Sequence, residues 1–600
     1  MLNPMENRTI LSSTGKHDLR AIQFSRRGAF LCILEDDQDR QLYLSISRSP
    51  NMWMQRKNLV RMVPVVDNKE VPYEYDVEPS RLIIHTYRGD IELCFDEGGR
   101  LRVRGKGAAL RFCFEMMLFE NACPRENGDW EIAFMILGKL LFVPLKGALF
   151  CNGRWKPAKS RADDFILELI PSVETGMYEA AVHEYRSNGV RLAQYPSFEE
   201  CQANALADFE AYAKRFPQLS PEYAQTARLA AWVIWMHTLG PGGLLKDEVV
   251  YMTRTQWLRA FGWQQSFQAM AASGDIRAAW RLLLTIFDYQ DEAGQIPDSV
   301  GDLGAAYMVT KPALQGLALE YLLDRGDIAD IPLEACEKLY EKLAKFAEWW
   351  LVFRDRNHSG LPQYYHADES PGEFCSIFRD GLPMYSPDLI AFVALLTEAC
   401  ARLARHLGME QKSTEWQQRS DRLVERLVKE FWNGERFVAR SVRTGKAVDS
   451  ECFMCMLPMM LGKKLPEEII DEMVRQLMDE DIYMAEGGIM IESRRQARKL
   501  DMTTPGPSGS AAYVNVLIGV GLWKAGRKEL ALDLARRSVG KIMEMGFGFM
   551  GSSEPAEDDG RRRLEPACKK PSTVARWSSW TAACFFILAR MLCEGAKEEE

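Results

Sequence analysis

The chain has 600 residues and a formal net charge of −9, from 75 basic and 84 acidic side chains. This length exceeds what a single hydrophobic core supports, so we expect at least two domains. The acidic balance, with no basic tract longer than residues 561–563, argues against nucleic acid as a partner.

The ends of the chain show no pattern typical of export or of membrane insertion. The first residues have no apolar stretch of the kind that a secretory signal needs. The apolar run at 580–592 is interrupted by Arg590 and is too short to cross a bilayer. Most of the 14 cysteines lie within apolar runs, which favours buried thiols in a reducing compartment over a disulfide framework. We expect a cytoplasmic protein that does not bind membranes.

Residues 1–195 are predicted to form an antiparallel β-sandwich. Short segments with alternating or nearly alternating apolar residues, such as 41–47, 81–87 and 91–95, follow one another. Glycine-containing turns between them, such as 96–100, are typical of hairpins. Because no phosphate-binding glycine motif occurs in this part of the chain, we interpret it as a scaffold.

The remainder of the chain has the hydrophobic period of helices. Residues 196–218 are predicted to form a linker helix, and 219–600 a mainly α domain of twelve helices. Twelve helices can pair as six hairpins, and the loops between them alternate between short and long. Closing six hairpins into a ring places the long loops on one rim, where a pocket forms. No sequence repeat supports an open solenoid instead.

The loop at 360–378 is the most informative segment. It belongs to a connector of roughly thirty residues between two helices, and such long loops tend to be functional. Acidic and aromatic residues are gathered in it. A sugar-cleaving site needs carboxylates for proton transfer and rings that stack on the sugar. A solvated acidic loop has the same composition. The residues concerned are Tyr364, Tyr365, His366, Asp368, Glu369, Glu373 and, just beyond the segment, Asp380.

Three further loops are candidates for the same rim. The first carries two tryptophans and two glutamines, which could stack on a sugar and bind its hydroxyls but could equally be core residues. The second includes Gln295 and Lys311, although a lysine directly before a proline is more often on the surface. The third carries Glu554, a candidate base within a stretch that could also be an acidic surface loop, and is followed by Trp580. The first group consists of Trp257, Trp263, Gln264 and Gln265.

Several short motifs in this order resemble the bacterial glycoside hydrolases grouped with mannosylglycerate hydrolase and glycoside hydrolase family 63. The resemblance covers roughly residues 200–595 and implies an (α/α)6 barrel, often preceded by a β-sandwich, that hydrolyses α-linked glycosides with inversion. The motifs are Phe-Gly-Trp-Gln-Gln-Ser-Phe at 261–267, Gly-Gln-Ile-Pro-Asp-Ser at 294–299, Lys-Pro at 311–312, the segment 366–378, Ser-Pro-Asp-Leu at 386–389 and Trp-Thr-Ala-Ala at 580–583.

The resemblance also implies roles for individual residues. Glu373 stands where the family has its aspartic acid, one methylene longer, so about 1 Å of repositioning must be absorbed; misplacement on that scale can cost about a hundredfold in rate. Gln264 replaces an aspartate of the family. The family's Tyr-Trp-Arg-Gly-Pro segment is Thr-Thr-Pro-Gly-Pro at 503–507. Glu554 is the residue nearest to the family's base.

Our main hypothesis is an inverting, glucosidase-like α-glycosidase acting on a small carbohydrate, with Glu373 as acid and Glu554 as base. We expect neither a cofactor nor a metal, although Ca²⁺ bound by loop oxygens stays open. The single Cys-x-x-Cys at Cys452 and Cys455 is interpreted as core packing. The substrate-binding residues are predicted to be Trp257, Trp263, Gln264, Gln265, Gln295, Lys311, His366 and Trp580.

Two alternatives stay open at this point. A degenerate barrel that only binds a saccharide or a protein would also show altered site motifs. A sugar lyase or epimerase on a similar barrel would use His366 with Tyr364 or Tyr365 as a base.

Overall fold

The computed structural model describes residues 17–36, 38–48, 56, 58–254, 257–499, 509–548 and 577–599. In its N-terminal part the chain forms short antiparallel strands connected mainly by tight turns. These strands are β1 (Leu31–Glu35), β2 (Leu42–Ile46), β3 (Val60–Val66), β4 (Lys69–Glu70), β5 (Glu74–Glu78), β6 (Arg81–Thr86), β7 (Gly89–Phe95), β8 (Leu101–Lys106), β9 (Ala109–Phe114), β10 (Asn121–Pro124), β11 (Trp130–Phe134), β12 (Gly138–Lys146), β13 (Ala148–Cys151), β14 (Trp155–Lys156), β15 (Arg161–Ala162), β16 (Phe165–Ile170) and β17 (Met177–Tyr185).

Two sheets built from these strands face each other. One has the order β1-β2-β3-β9-β16-β13, with β4 added to β3, and the other has the order β10-β11-β12-β17-β8-β7-β6-β5. Phenylalanines from both sheets meet between them: Phe112 and Phe114 of β9 lie 5.0 Å and 6.0 Å from Phe142 of β12, measured between ring centroids. The predicted antiparallel β-sandwich is confirmed.

The chain then becomes helical. Ser197 caps the first helix, where its hydroxyl accepts a hydrogen bond of 3.2 Å from the backbone of Glu200 and the Glu200 carboxylate bonds back to Ser197. The helices are α1 (Phe198–Ala213), α2 (Ala224–His237), α3 (Gly262–Ala271), α4 (Ile276–Thr285), α5 (Gln315–Leu323), α6 (Leu333–Val352), α7 (Pro387–His406), α8 (Glu410–Phe431), α9 (Glu467–Leu477), α10 (Arg494–Lys499), α11 (Ala512–Lys524), α12 (Lys528–Met545) and α13 (Ser579–Glu599).

Five of these helices and one 3₁₀ segment form a closed inner ring. Contacts run from α3 to α5, to α7, to the 3₁₀ segment Leu457–Lys464, to α11, to α13 and back to α3. The helices α2, α4, α6, α8, α9 and α12 pack around this ring. Inner helices such as α5 and α11 are buried on nearly all sides and are mostly apolar, whereas α8 buries one stripe and exposes a charged face. The predicted (α/α)6 barrel is confirmed.

One inner element differs from the prediction. The sequence pattern predicts an α-helix over 450–461, but the chain forms 3₁₀ turns at Phe453–Cys455 and Leu457–Lys464. Pro458 cannot donate a backbone hydrogen bond and disfavours a continuous α-helix there. The turn packs directly on α11, where a Cβ added to Gly521 would lie 2.6 Å from the carbonyl oxygen of Met459.

The β-sandwich contacts the barrel through buried charges. Arg48, which follows β2, bonds Glu184 of β17 with its Nε at 2.7 Å and forms an ion pair with Asp302 of the barrel. Because Asp302 belongs to the loop between α4 and α5, this pair fixes the sandwich beside a rim loop. Among the described helices, none is both long and apolar enough to cross a membrane.

Candidate active site

The inner helices α3, α11 and α13 begin at the same end of the barrel, and their first residues meet there. Trp263 at the start of α3, Tyr513 at the start of α11 and Trp580 at the start of α13 form a cluster of rings that we call the aromatic floor. Measured between ring centroids, Trp263 lies 5.5 Å from Tyr513 and 5.3 Å from Trp580, and Tyr513 stacks on Trp580 at 4.6 Å. Each of the three side chains is at most 5% exposed. The predicted residues Trp263 and Trp580 are thus together.

Glu373 lies on the loop between α6 and α7, at this same end. The loop is anchored on both sides of Glu373: the Tyr513 hydroxyl donates a hydrogen bond of 2.9 Å to the carbonyl of Pro371, and the backbone N–H of Ser376 donates one of 2.6 Å to Glu492. The side chain of Glu373 is exposed. An anchored loop therefore presents an exposed carboxyl group beside the aromatic floor.

A cluster of charges surrounds Lys311, which precedes α5. Its ammonium forms an ion pair with Asp368, and its side chain is only 13% exposed. Burial alone lowers the pKa of Lys311, but the carboxylates of Asp368, Glu373 and Asp298 outweigh this effect and raise it above its ordinary value. Lys311 therefore stays charged. It is also largely buried, whereas a lysine directly before a proline is usually on the surface.

Asp298 is a member of this cluster that we did not predict as a site residue. It is 4% exposed, and its Oδ1 has no hydrogen-bond partner among the described residues. Burial raises the pKa of Asp298 to about 6; the ammonium of Lys311 opposes this shift, and the Asp368 carboxylate adds to it. The motif at 294–299 that contributes to the family resemblance contains Asp298, so the signal was present in the sequence.

His366 supports this cluster through its position at the start of a 3₁₀ turn, Ala367–Glu369. Its ring Nδ1 accepts a hydrogen bond of 3.1 Å from the backbone N–H of Asp368. The backbone N–H of His366 donates one of 3.2 Å to the carboxylate of Glu369. Glu369 is buried and forms an ion pair with Arg354. These contacts orient the turn that carries Asp368 toward Lys311.

The predicted glutamines have different surroundings. Both polar atoms of the Gln265 amide bond the backbone of Val250, with its Oε1 at 3.2 Å and its Nε2 at 2.7 Å. The Nε2 of Gln295 donates to the carbonyl of Tyr307 at 2.9 Å. Gln264 is buried beside Trp263 at the start of α3. Of the three amides, that of Gln265 is fully used by the backbone.

The structure gives less information on the roles of two predicted residues, Trp257 and Glu554. Trp257 lies on the loop before α3, where it is partly exposed and has a left-handed φ of +52°. Glu554, the predicted base, lies outside the described residues, as does the segment 503–507. The described part of the site therefore comprises Glu373, the Lys311 cluster and the aromatic floor.

Comparison with known proteins identifies the class to which this architecture belongs: the protein is a glycoside hydrolase with an (α/α)6 barrel. The sequence profile of the mannosylglycerate hydrolase MGH1-like glycoside hydrolase domain matches residues 257–562, a little more than half of the chain. The chain belongs to this family, and its substrate is a carbohydrate. No curated protein sequence matches the chain significantly.

One solved structure shares the fold, and two others show weaker similarity. A bacterial glucoamylase complexed with acarbose superimposes with a TM-score of 0.61 and 10% identity, covering 95% of this chain and 93% of the glucoamylase. The glycoside hydrolase family 63 mannosylglycerate hydrolase from Thermus thermophilus, in complex with glucose, gives 0.44 and 17%, over 55% of this chain and 92% of that one. Neutral trehalase from Saccharomyces cerevisiae gives 0.47 and 11%, over 67% and 86%. The glucoamylase match extends over both the sandwich and the barrel.

Proposed function

We propose that this glycoside hydrolase is an inverting, glucosidase-like α-glycosidase that acts on a small glycoside or oligosaccharide. The observation that carries the proposal is the position of Glu373, an exposed carboxyl group on an anchored loop. It lies near enough to Lys311 and Tyr513 for its charge to affect the pKa of both side chains. A sugar that rests against the aromatic floor would have its glycosidic oxygen within reach of this carboxyl.

In the proposed reaction Glu373 is the general acid. Its proton passes to the leaving oxygen as the bond from that oxygen to the anomeric carbon breaks. A water molecule attacks the anomeric carbon from the opposite face of the ring, and a second carboxylate accepts the proton of that water. We propose Glu554 as this base. An inverting pair is separated by about 6.5–9.5 Å, which leaves room for the water.

The proposed sugar contacts combine stacking with hydrogen bonds. Trp263 and Trp580 would offer ring faces to the apolar side of the sugar, because the negative face of an aromatic ring attracts C–H groups. Lys311 is a charged donor at the same rim. The proposed substrate-binding residues are Trp257, Trp263, Gln264, Gln295, Lys311, His366 and Trp580. Gln265, which was predicted with them, has both amide atoms bonded to the backbone of Val250, and we propose a structural role for it.

A reducing, cytoplasmic location is part of the same proposal. The described cysteines are all free, and most of them are buried. Proteins that fold in oxidising compartments more often pair their cysteines. The proposed partner is a small carbohydrate alone.

Hydrolysis of nitrophenyl α-glucoside, α-mannoside and α-galactoside tests the proposal, with Glu373→Gln as the variant. Asp380→Asn is the matched control, because Asp380 is an exposed carboxylate of the same connector. We expect the parent and the control to release nitrophenol and Glu373→Gln to lose most of this activity. The loss should be greater for an alkyl glycoside than for a dinitrophenyl glycoside, whose leaving group needs little protonation.

Stereochemistry tests the inverting mechanism separately. Proton NMR during hydrolysis of an α-glycoside should show the β-anomer of the sugar before mutarotation. Early appearance of the α-anomer would contradict inversion, and full activity of Glu373→Gln would contradict the role of Glu373. If the parent hydrolyses none of the three substrates but binds a glycan, the hypothesis of a saccharide-binding barrel would gain support instead.

A further inference from the structure

Three side chains that can bind a metal meet beneath the loop that carries Glu373. They are Cys375 of this loop, Cys452 at the start of the 3₁₀ turn Phe453–Cys455, and Glu492. One atom from each, the two Sγ atoms and a carboxylate oxygen, all lie within 4.8 Å of one another. The three side chains are between 0% and 4% exposed. Two thiols and a carboxyl group thus share one buried position.

We propose that Cys375, Cys452 and Glu492 bind a zinc ion. Zinc prefers thiolate, imidazole and carboxylate ligands in a tetrahedral arrangement, with Zn–S distances of about 2.3 Å, which places two sulfur ligands about 3.8 Å apart. The observed spacing is compatible with this geometry after small side-chain movements. Thiolates in the ligand set favour zinc over the oxygen-preferring ions Ca²⁺ and Mg²⁺. From the sequence we interpret the Cys-x-x-Cys pair as core packing and expect no metal; the proposed site differs from both expectations.

Cys455 is the candidate fourth ligand. It is 1% exposed, and the 3₁₀ turn, closed by a hydrogen bond of 3.0 Å from its N–H to the carbonyl of Cys452, brings it next to that residue. Its Sγ lies 3.8 Å from the carbonyl oxygen of Ser450 and would have to turn about χ1 to reach the ion. A site with four protein ligands is closed to water, which is typical of structural zinc.

Hydrogen bonds hold the carboxyl group of Glu492 in place. Glu492 accepts hydrogen bonds from the N–H and the hydroxyl of Ser376, at 2.6 Å and 2.8 Å. Partners of this kind orient metal-binding carboxylates.

The charges of the ion and of its ligands would match. Binding of zinc would release the protons of the two thiols, and the divalent ion would offset most of the negative charge that the thiolates and the carboxylate then carry.

The ion would join segments that are distant in sequence. Cys375 follows Glu373 by two residues, and an antiparallel bridge already pairs the backbones of Cys452 and Glu492. The loop packs closely here, since a Cβ added to Gly372 would lie 2.7 Å from the Sγ of Cys375. Zinc would therefore fix the Glu373 loop to the inner ring of the barrel without touching the substrate.

Metal analysis of the protein purified under reducing conditions, without added metal, tests the site. We expect about one zinc per chain in the parent and in Cys400→Ser, a matched control in which an equally buried thiol of α7 is changed. We expect zinc to be lost in Cys375→Ser and in Cys452→Ser. Zinc that persists in both of these variants would overturn the assignment.

Measurements on the parent keep the test decisive if the variants fail to fold. Removal of metal by a strong chelator should lower the Tm, and Zn²⁺ but not Mg²⁺ should restore it. Replacement by Co²⁺ should produce thiolate-to-cobalt charge-transfer absorption in the near ultraviolet. Absence of both bound metal and this absorption would overturn the proposal, as would a disulfide between Cys375 and Cys452 in a digest made without reductant.

Discussion

The ring of Tyr513 stacks on that of Trp580, with centroids 4.6 Å apart and an angle of 20° between the planes. The hydroxyl of the same Tyr513 donates its hydrogen bond to Pro371, two residues before Glu373. One residue at the start of α11 therefore contacts both the aromatic floor and the loop with the proposed acid. Side chains of this kind hold the reactive group in position without reacting themselves, and their substitution can lower the rate strongly.

Removal of the Tyr513 hydroxyl should separate these two contacts. We expect Tyr513→Phe to keep the stacking but to leave the buried Pro371 carbonyl without its donor, at a cost of about 1 kcal/mol in the free energy of unfolding. Because the loop is then less well held, kcat should fall about tenfold while KM changes little. Steady-state kinetics on a substrate of the parent, together with urea unfolding, measure both effects.

Tyr178→Phe is the matched control for that variant. Tyr178 is equally buried, but it lies in the β-sandwich, and its hydroxyl has no hydrogen-bond partner among the described residues. Its replacement should leave kcat unchanged. Equal kinetic effects of the two variants would argue against a positioning role for Tyr513.

The buried ammonium of Lys311 should be important for stability. Lys311→Met leaves the carboxylates of Asp298 and Asp368 without their cation, and removal of one partner of a buried pair costs about 3–5 kcal/mol. Since Asp368 is 30% exposed, we expect a value near the lower end, about 3 kcal/mol, in urea unfolding. Lys338→Met removes an ion pair with Asp288 in which the lysine is 48% exposed, and should cost less than about 1 kcal/mol. Similar losses in the two variants would contradict this account.

Asp298 should make stability depend on pH. Burial raises its pKa from 3.8 to about 6. Between these values the folded protein keeps a proton that the unfolded chain has lost, so the contribution of Asp298 to the free energy of unfolding falls as the pH rises through this window and is constant above it.

The side chain in Asp298→Asn cannot ionise, so the free energy of unfolding of this variant should not show this decrease with rising pH. We expect it to be more stable than the parent by about 3 kcal/mol at pH 7 and nearly equal to it at a pH of about 4. Urea unfolding at several pH values gives the two curves, with Asp380→Asn as an exposed control. Parallel curves for the parent and Asp298→Asn would rule out the raised pKa.

Most of the fold could be predicted from the sequence because it depends on local patterns. The period of apolar residues locates α6, α7 and α12 almost to the residue, and glycine turns locate the hairpins of the sandwich. The 3₁₀ segment Leu457–Lys464 was missed because its apolar residues suit a helix. Pro458 disfavours a continuous α-helix there, and the close packing of Met459 on Gly521 is a contact between distant segments that the local pattern does not reveal.

Less of the site could be predicted, because it depends on contacts between distant segments. Tyr513 lies in an apolar run that is typical of a core helix, and only the convergence of the inner helices brings it beside Trp580. Cys375 and Cys452 are far apart in sequence for the same reason. Glu373 and Lys311 were found because family motifs mark them, and Asp298 was overlooked although it lies in such a motif.

The neighbouring residues Gln264 and Gln265 allow a direct comparison between a substrate contact and a structural one. Gln265→Ala removes both hydrogen bonds to the backbone of Val250, which leaves a buried N–H and a buried carbonyl unpaired. We expect the free energy of unfolding to fall by about 2 kcal/mol, with KM nearly unchanged.

Gln264→Ala, by contrast, should raise KM several-fold at a smaller cost in stability, because Gln264 occupies the position of a family aspartate beside Trp263. Urea unfolding and steady-state kinetics on both variants measure the difference. If Gln265→Ala raises KM and leaves stability intact, its amide must leave Val250 to bind the sugar when substrate enters, and the assignment of the two glutamines would be reversed.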